Sequence, residues 1–180
     1  MPVDGGPARQ LTHGESESLF PAWSPDKDEI VKHGDGLVIE STQGGQERRL
    51  TENPNDMDPD WSPDGRWVAF DSDRDGLGRI WRVPSSGGPP ERLTEIEGGY
   101  PRWSRDGKGI YFIRWKDNWP QNIWVLSLDS RKVRPATALT GRRGNLGQAA
   151  PATDGASIYF TWRENRSDIW VADIVQPGNR

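Results

Sequence analysis

The sequence predicts an all-β fold: a β-propeller built from four repeats of four antiparallel strands, with an N-terminal strand closing the last blade. Three features predict it: a motif that recurs four times, a two-residue apolar alternation between its copies, and apolar bulk concentrated in ten tryptophans. Trp-Ser-Pro-Asp stands at Trp23–Asp26 and Trp61–Asp64. Trp103-Ser104-Arg105-Asp106-Gly107 is a third copy, and Ala152-Thr153-Asp154-Gly155 is a degenerate fourth. The aspartates Asp26, Asp64, Asp106 and Asp154 lie 38, 42 and 48 residues apart. Leu-Thr recurs at 11–12, 50–51, 93–94 and 139–140, and a short apolar run begins at Leu37, Ile80, Ile123 and Ile169. Three markers in one order throughout define a true repeat.

The second copy shows the strands most plainly. Asp58–Ser62 reads as a first strand, and Pro63-Asp64-Gly65 as a tight turn. There Pro fixes φ, Asp bonds its own backbone, and Gly accepts positive φ. Arg66–Ser72 alternates as a second strand, Asp73–Gly78 is a hairpin tip, Arg79–Pro84 a third strand and Glu91–Thr94 a fourth. The first copy is shorter: Glu29–His33 turns at Gly34-Asp35 into Leu37–Ser41. Residues 3–12 resemble the end of a third strand and a whole fourth, while the C-terminus stops after a third strand, Asp168–Ile174. The N-terminal strand 7–12 is therefore expected to complete the last blade and remove a free sheet edge. The expected organisation is one propeller domain over 1–180. Its blades span about 13–51, 52–94, 95–140, and 141–175 plus strand 7–12.

Composition narrows the function. Leu, Ile, Val and Phe total 33 of 180, a low figure that would suggest disorder if tryptophan did not replace the missing bulk. A net charge of −4 and a pI of 5.3 argue against nucleic acid as partner. Without cysteine there is no disulfide scaffold, thiol nucleophile or Cys-ligated zinc. The longest apolar runs, such as Ile110–Ile113, are too short for membrane insertion by a helix, and Met1–Gly6 does not read as a signal peptide.

Candidate sites follow from what breaks the repeat. Asp71, Asp73 and Asp75, with Gly76, match the first half of a calcium loop. Arg79 and Arg82 then stand where the loop needs oxygen ligands, so they are weak metal candidates. The histidines are His13 and His33, no Gly-x-Ser-x-Gly elbow occurs, and no cofactor motif is present, so a non-catalytic chain without cofactor is expected. Trp23, Trp61, Trp103, Trp81, Trp124 and Trp170 keep the repeat register and are expected to fill the space between sheets, with Trp67 packing beside them. Trp115, Trp119 and Trp162 fall outside that register, at hairpin tips where aromatic side chains suit partner contact. The blade-joining loops add Asp56, Asp58 and Tyr100, and the basic pair Arg142 and Arg143. One face is thus acidic over three sectors and basic over one.

Pro-x-Trp-Ser-Pro-Asp-Gly, an apolar-x-Phe-x-Ser strand, Ile-Trp/Tyr-Val and Gly-Gly…Arg-x-Leu-Thr together resemble the TolB-like, WD-repeat-like propeller repeat. Pro59–Thr94 carries it most completely. The resemblance implies a bacterial protein, periplasmic or a sensor module of a larger polypeptide. It specifies the fold far better than the task. The expected function is protein or peptide binding through the loop-rich face, with carbohydrate or small-ligand binding at the central mouth as the alternative. The rivals to a closed four-blade ring are a part of a larger ring and a homodimer forming one eight-bladed ring. For a chain of 20.2 kDa, a solution mass of about 20 kDa by light scattering supports the closed ring, and about 40 kDa supports paired chains.

Overall fold

The computed structural model describes residues 10–12, 19–116, 119–139, 144–147, 150–164 and 167–173, with 116, 119–121, 145 and 167–173 as backbone only. Strands β1 (Leu19–Trp23), β2 (Glu29–Gly34), β3 (Gly36–Ser41) and β4 (Arg48–Arg49) form the first sheet, in chain order. The second holds β5 (Met57–Trp61), β6 (Trp67–Ser72), β7 (Arg79–Pro84) and β8 (Glu91–Arg92). The third holds β9 (Gly98–Trp103), β10 (Gly109–Lys116), β11 (Trp119–Ser127) and β12 (Val133–Pro135). In the fourth, β13 (Asn145–Leu146) and β14 (Ala152–Thr153) both pair one edge of β15 (Ser157–Arg163), and β16 (Ser167–Asp173) pairs the other. All pairings are antiparallel, and the described residues contain no helix. The expected closing strand over 7–12 lies mostly outside the described residues, and 10–12 carry no strand.

Hydrogen bonds explain the repeat motif. Ser62 Oγ donates to Asp64 Oδ1 at 2.6 Å and accepts from Trp67 N at 2.9 Å, while Gly65 N closes the turn onto Ser62 O. Ser104, Asp106, Gly107 and Gly109 repeat these bonds in the third sheet. Gly65 and Gly107 both adopt φ +69°, a region that favours glycine. A threonine latch repeats as well: Leu37 N, Ile80 N and Ile123 N donate to the Oγ1 of Thr51, Thr94 and Thr137, each 14 residues on. The third-copy marker is therefore Ala136-Thr137, not Leu139-Thr140. Each latch ties a two- or three-residue outer strand to the sheet and satisfies an amide that so short a ladder leaves open.

The core lies between sheets. Val31, Leu37, Ile39 and Leu50 of the first sheet meet Trp61, Val68, Phe70 and Val83 of the second. Ala69, Ile80 and Leu93 then meet Trp103, Ile110, Phe112 and Leu126 of the third. Tyr111, Ile113, Ile123 and Val125 meet Leu146, Ile158, Phe160 and Trp162 of the fourth. Trp61 and Trp103 fill inter-sheet space as expected, at 5% and 7% exposure. Trp23 does not: it is 60% exposed, with Leu19 and Phe20 beside it. Its face of the first sheet carries the buried Lys32–Glu40 ion pair, at 2.8 Å, where the second sheet has Phe70 and Val83. Trp81 and Trp124 are half-buried, stacked under Arg74 and Arg114 at 4.9 and 4.6 Å, and Trp67 lies under Arg82 at 4.0 Å. The Trp170 side chain lies outside the described residues.

These burials predict an asymmetry among equivalent indoles. Trp103→Ala should cost about 3–5 kcal/mol in urea unfolding, as buried Trp→Ala changes do, and Trp23→Ala less than about 1 kcal/mol.

Candidate functional site

The first strands of the first three sheets each carry a bulge that no sequence marker announced. The register of β1 slips between Leu19 and Ala22, that of β5 between Met57 and Asp60, and that of β9 between Gly99 and Arg102. At the slip stand Phe20, Asp58 and Tyr100, with φ of 52°, 50° and 57°. Each is followed by proline, which needs no ladder partner at a bulge. Non-glycine residues at positive φ are uncommon and cost on the order of 1–3 kcal/mol each. Three at one repeat position mark a shared constraint. First strands are also those that meet neighbouring sheets, so the three bulges lie along the inner rim of the assembly.

The rim is wired from sheet to sheet. Phe20 packs on His33, ring centroids 6.4 Å apart. His33 Nδ1 lies 2.9 Å from Asp56 O, and because a carbonyl only accepts, Nδ1 carries the proton. The Asp56 carboxylate is wholly buried and accepts from Arg74 Nη2 with both oxygens, 2.6 Å to Oδ1. The carboxyls of Asp58 and Asp71 hydrogen-bond to each other, and Asp71 Oδ1 accepts Tyr100 N at 3.0 Å. Tyr100 meets Trp115 edge-on at 6.1 Å. In the next layer, Asp60 accepts Trp103 N at 2.7 Å through Oδ2 and Trp103 Nε1 at 3.1 Å through its carbonyl.

Burial sets the protonation. Loss of hydration raises Asp58 to about 6, partly offset by Arg102 and His33. Burial raises Asp60 to about 6 as well. Asp71 is pushed well above the ordinary carboxylate range, by burial first and by the Asp58 charge second. Two interacting buried carboxyls cannot both ionise cheaply, so each raises the cost of the other's charge.

Several expected contact residues are structural. Trp162 is 5% exposed and sits in the core between the third and fourth sheets, with Nε1 donating to Glu164. Trp115 folds back from its hairpin onto Gly78 and Gly99. A Cβ on Gly99 would lie 3.0 Å from that indole and 3.2 Å from Asp71. Asp56 and Asp58 are buried and internally paired, and Tyr100 is half-buried. Trp119's side chain, Arg142, Arg143 and His13 lie outside the described residues. Asp71, Asp73 and Asp75 do not converge: Asp71 turns inward to Tyr100, Asp73 is exposed, and Asp75 pairs with Arg79 and Arg92. Among the described residues no cluster of three metal-ligating side chains forms. Asp60 and the bulge position itself went unread in the sequence, and Asp71 was read only as a calcium-loop ligand, because ordinary strand alternation hides a one-residue insertion.

The sequence matches the TolB beta propeller domain over residues 32–175. The chain belongs to the TolB β-propeller family. It is 30% identical over 175 residues to an uncharacterized protein of Agrobacterium fabrum, covering 89% of this chain and 59% of that one. It is 35% identical over 149 residues to the Tol-Pal system protein TolB of Anaeromyxobacter dehalogenans, covering 76% of this chain and 34% of the relative. The chain thus spans between a third and three-fifths of these bacterial relatives. TolB of Acinetobacter baumannii superposes with a TM-score of 0.80 at 21% identity, over 96% of this chain and 45% of that one.

The expectation of a non-catalytic chain does not stand. A puromycin-hydrolyzing peptidase of Mycobacterium tuberculosis covers 92% of this chain with a TM-score of 0.68, and an oligogalacturonate lyase in complex with manganese covers 91% at 0.68. At 15% and 16% identity these show the fold alone, and the fold therefore serves catalytic proteins too.

The buried carboxyls give the TolB-type rim a pH signature. Folding raises these pKa values, so the folded chain holds protons more tightly than the unfolded one. Their stabilising contribution is complete below the ordinary pKa near 4 and is lost as pH rises through about 6. Asp71→Asn keeps an oxygen for Tyr100 N and a donor for Asp58. It should be more stable than the parent at pH 8 by about 1–3 kcal/mol, with a flatter dependence of the urea midpoint between pH 5 and 8.

Proposed function

We propose that this TolB-type propeller engages a protein or peptide through the face formed by the blade-joining loops and the second-to-third-strand hairpins. The observation that carries this reading is the internal pairing of the mouth. Asp56 is held by Arg74, and Asp58 by Asp71, so the described carboxylates nearest the centre have protein partners already. What the face offers outward is exposed polar residues, Asp35, Glu52, Asn55 and Asp73, together with the exposed Leu77. Such a surface suits a broad, oriented contact better than a sugar-sized cleft. The Tol-Pal system protein name of the relatives favours a protein assembly as the setting, in a bacterial periplasm. Exposed Trp23, at the repeat position where Trp61 and Trp103 are covered by a neighbouring sheet, supports pairing of two chains as part of the same reading.

Cross-linking of the full chain in bacterial extract, read by mass spectrometry, tests the face. Leu77→Asp, Glu52→Lys and Trp119→Ala are expected to stay folded and to lose a partner that Lys27→Glu, on the opposite turns, retains. Equal capture by all four variants would overturn the assignment.

A further inference from the structure

At the end opposite the loop face, the third sheet departs from the second in a way the fold does not require. Trp67 begins β6 and lies under Arg82, which pairs with Glu91 at 2.7 Å, so the cation at that corner of the second sheet is neutralised, and indole and cation line a cavity of about 450 Å³ shared with Trp103 of the third. The matching positions of the third sheet are Gly109, Val125 and Arg134, by the register Ile110↔Leu126 and Val125↔Arg134 against Val68↔Val83 and Arg82↔Glu91. The indole and the paired cation are missing, and the corresponding cavity, of about 320 Å³, has Gly109 where the other has Trp67. Its floor is Gly109, Tyr111 and Val125, and its rim carries Lys108, Lys132 and Arg134.

The rim has unused charge. Among the described residues Lys108, Lys132 and Arg134 have no carboxylate within ion-pair distance, whereas Arg74, Arg79, Arg82, Arg92 and Arg131 are all paired. Asp106 also lines the cavity, but its Oδ1 already accepts from Ser104 Oγ at 2.6 Å and from Lys108 N at 3.0 Å. Three cations against one occupied carboxylate make a local positive centre on a chain of net charge −4. Beneath it lies a floor of Gly109, Tyr111 and Val125, with no indole over it. A cavity of this volume lies within the range of small-molecule sites, which pair apolar walls with a few placed polar groups.

We propose that this cavity binds a small aromatic carboxylate. The flat ring takes the place of the missing indole against Gly109, Tyr111 and Val125, and the carboxylate sits between Lys132 and Arg134. Arginine's planar fork and the lysine ammonium are the groups that hold a carboxylate. The site is independent of the loop-face reading and shares no residue with it.

Titration of the full, ¹⁵N-labelled chain with indole-3-acetate tests it, with indole-3-acetamide as the uncharged control. Saturable shifts should centre on the amides of Gly109, Val125, Lys132 and Arg134, with the acetamide at least about ten-fold weaker. The exposed double variant Lys132→Ser/Arg134→Ser should fold normally and lose about ten-fold or more in affinity. Gly109→Trp should abolish binding by filling the floor. A Cβ there already lies 3.1 Å from Leu126 O, so the double variant is the decisive one. Equal binding of acid and amide, an unaffected double variant, or shifts centred elsewhere would each overturn the site.

Discussion

Burial between sheets is the constraint on which everything else here depends. Among the described residues the apolar clusters form between sheets, such as Val31, Leu37 and Ile39 against Trp61, Val68 and Phe70. Blades of four short strands, two or three residues long at their outer edges, cannot supply the cooperativity of a domain alone. The threonine latch and the Ser-Asp turn are local devices that hold each sheet in the shape its neighbour needs. The tryptophans do the covering. A chain poor in aliphatic residues concentrates its apolar area in a few large side chains, which bury the most surface per position.

The inner rim follows from the same geometry. Neighbouring first strands must converge while their sheets fan apart, and a bulge at Phe20, Asp58 and Tyr100 supplies the extra twist. The bulge turns Asp58 against Asp71 and places Tyr100 N on the same carboxyl, so backbone strain and carboxyl pairing are two sides of one arrangement. This is why a rim that looks acidic in sequence offers little free charge among its described inner residues. Its buried acidic groups brace the sheets. The hydrolase and lyase relatives in fold show that the same frame also carries catalytic proteins.

Departures from the repeat then become informative. Gly109 in place of Trp67 and Arg134 in place of Glu91 remove packing and reverse a charge in the third sheet, and the first sheet has Glu29 and Arg48 at the same two positions. Lys32 and Glu40 put a buried ion pair where the second sheet has Phe70 and Val83, which sets the first face apart as chemically different. Buried pairs of this kind are weak sources of stability and better at specifying arrangement.

Much of the architecture was legible from local chemistry. Turn residues, two-residue alternation and the apolar runs located β5–β8 to within a residue or two, because each strand's character resides in its own few residues. The position of Thr137 was missed because a nearby Leu-Thr pair imitates the marker, and only the bond to Ile123 N shows which threonine acts. Exposure was the harder quantity. Trp23 and Trp61 occupy the same motif, yet one is bare and the other covered, since coverage depends on what the adjacent sheet presents. Trp115 and Trp162 looked like free hairpin aromatics, but one lies on Gly78 and Gly99 and the other is in the core. The tryptophan-rich repeat by itself determined a β-propeller of the TolB type. Tertiary structure alone decided which carboxyls are spent on each other and which cations are left over, because charge pairing acts between residues tens of positions apart.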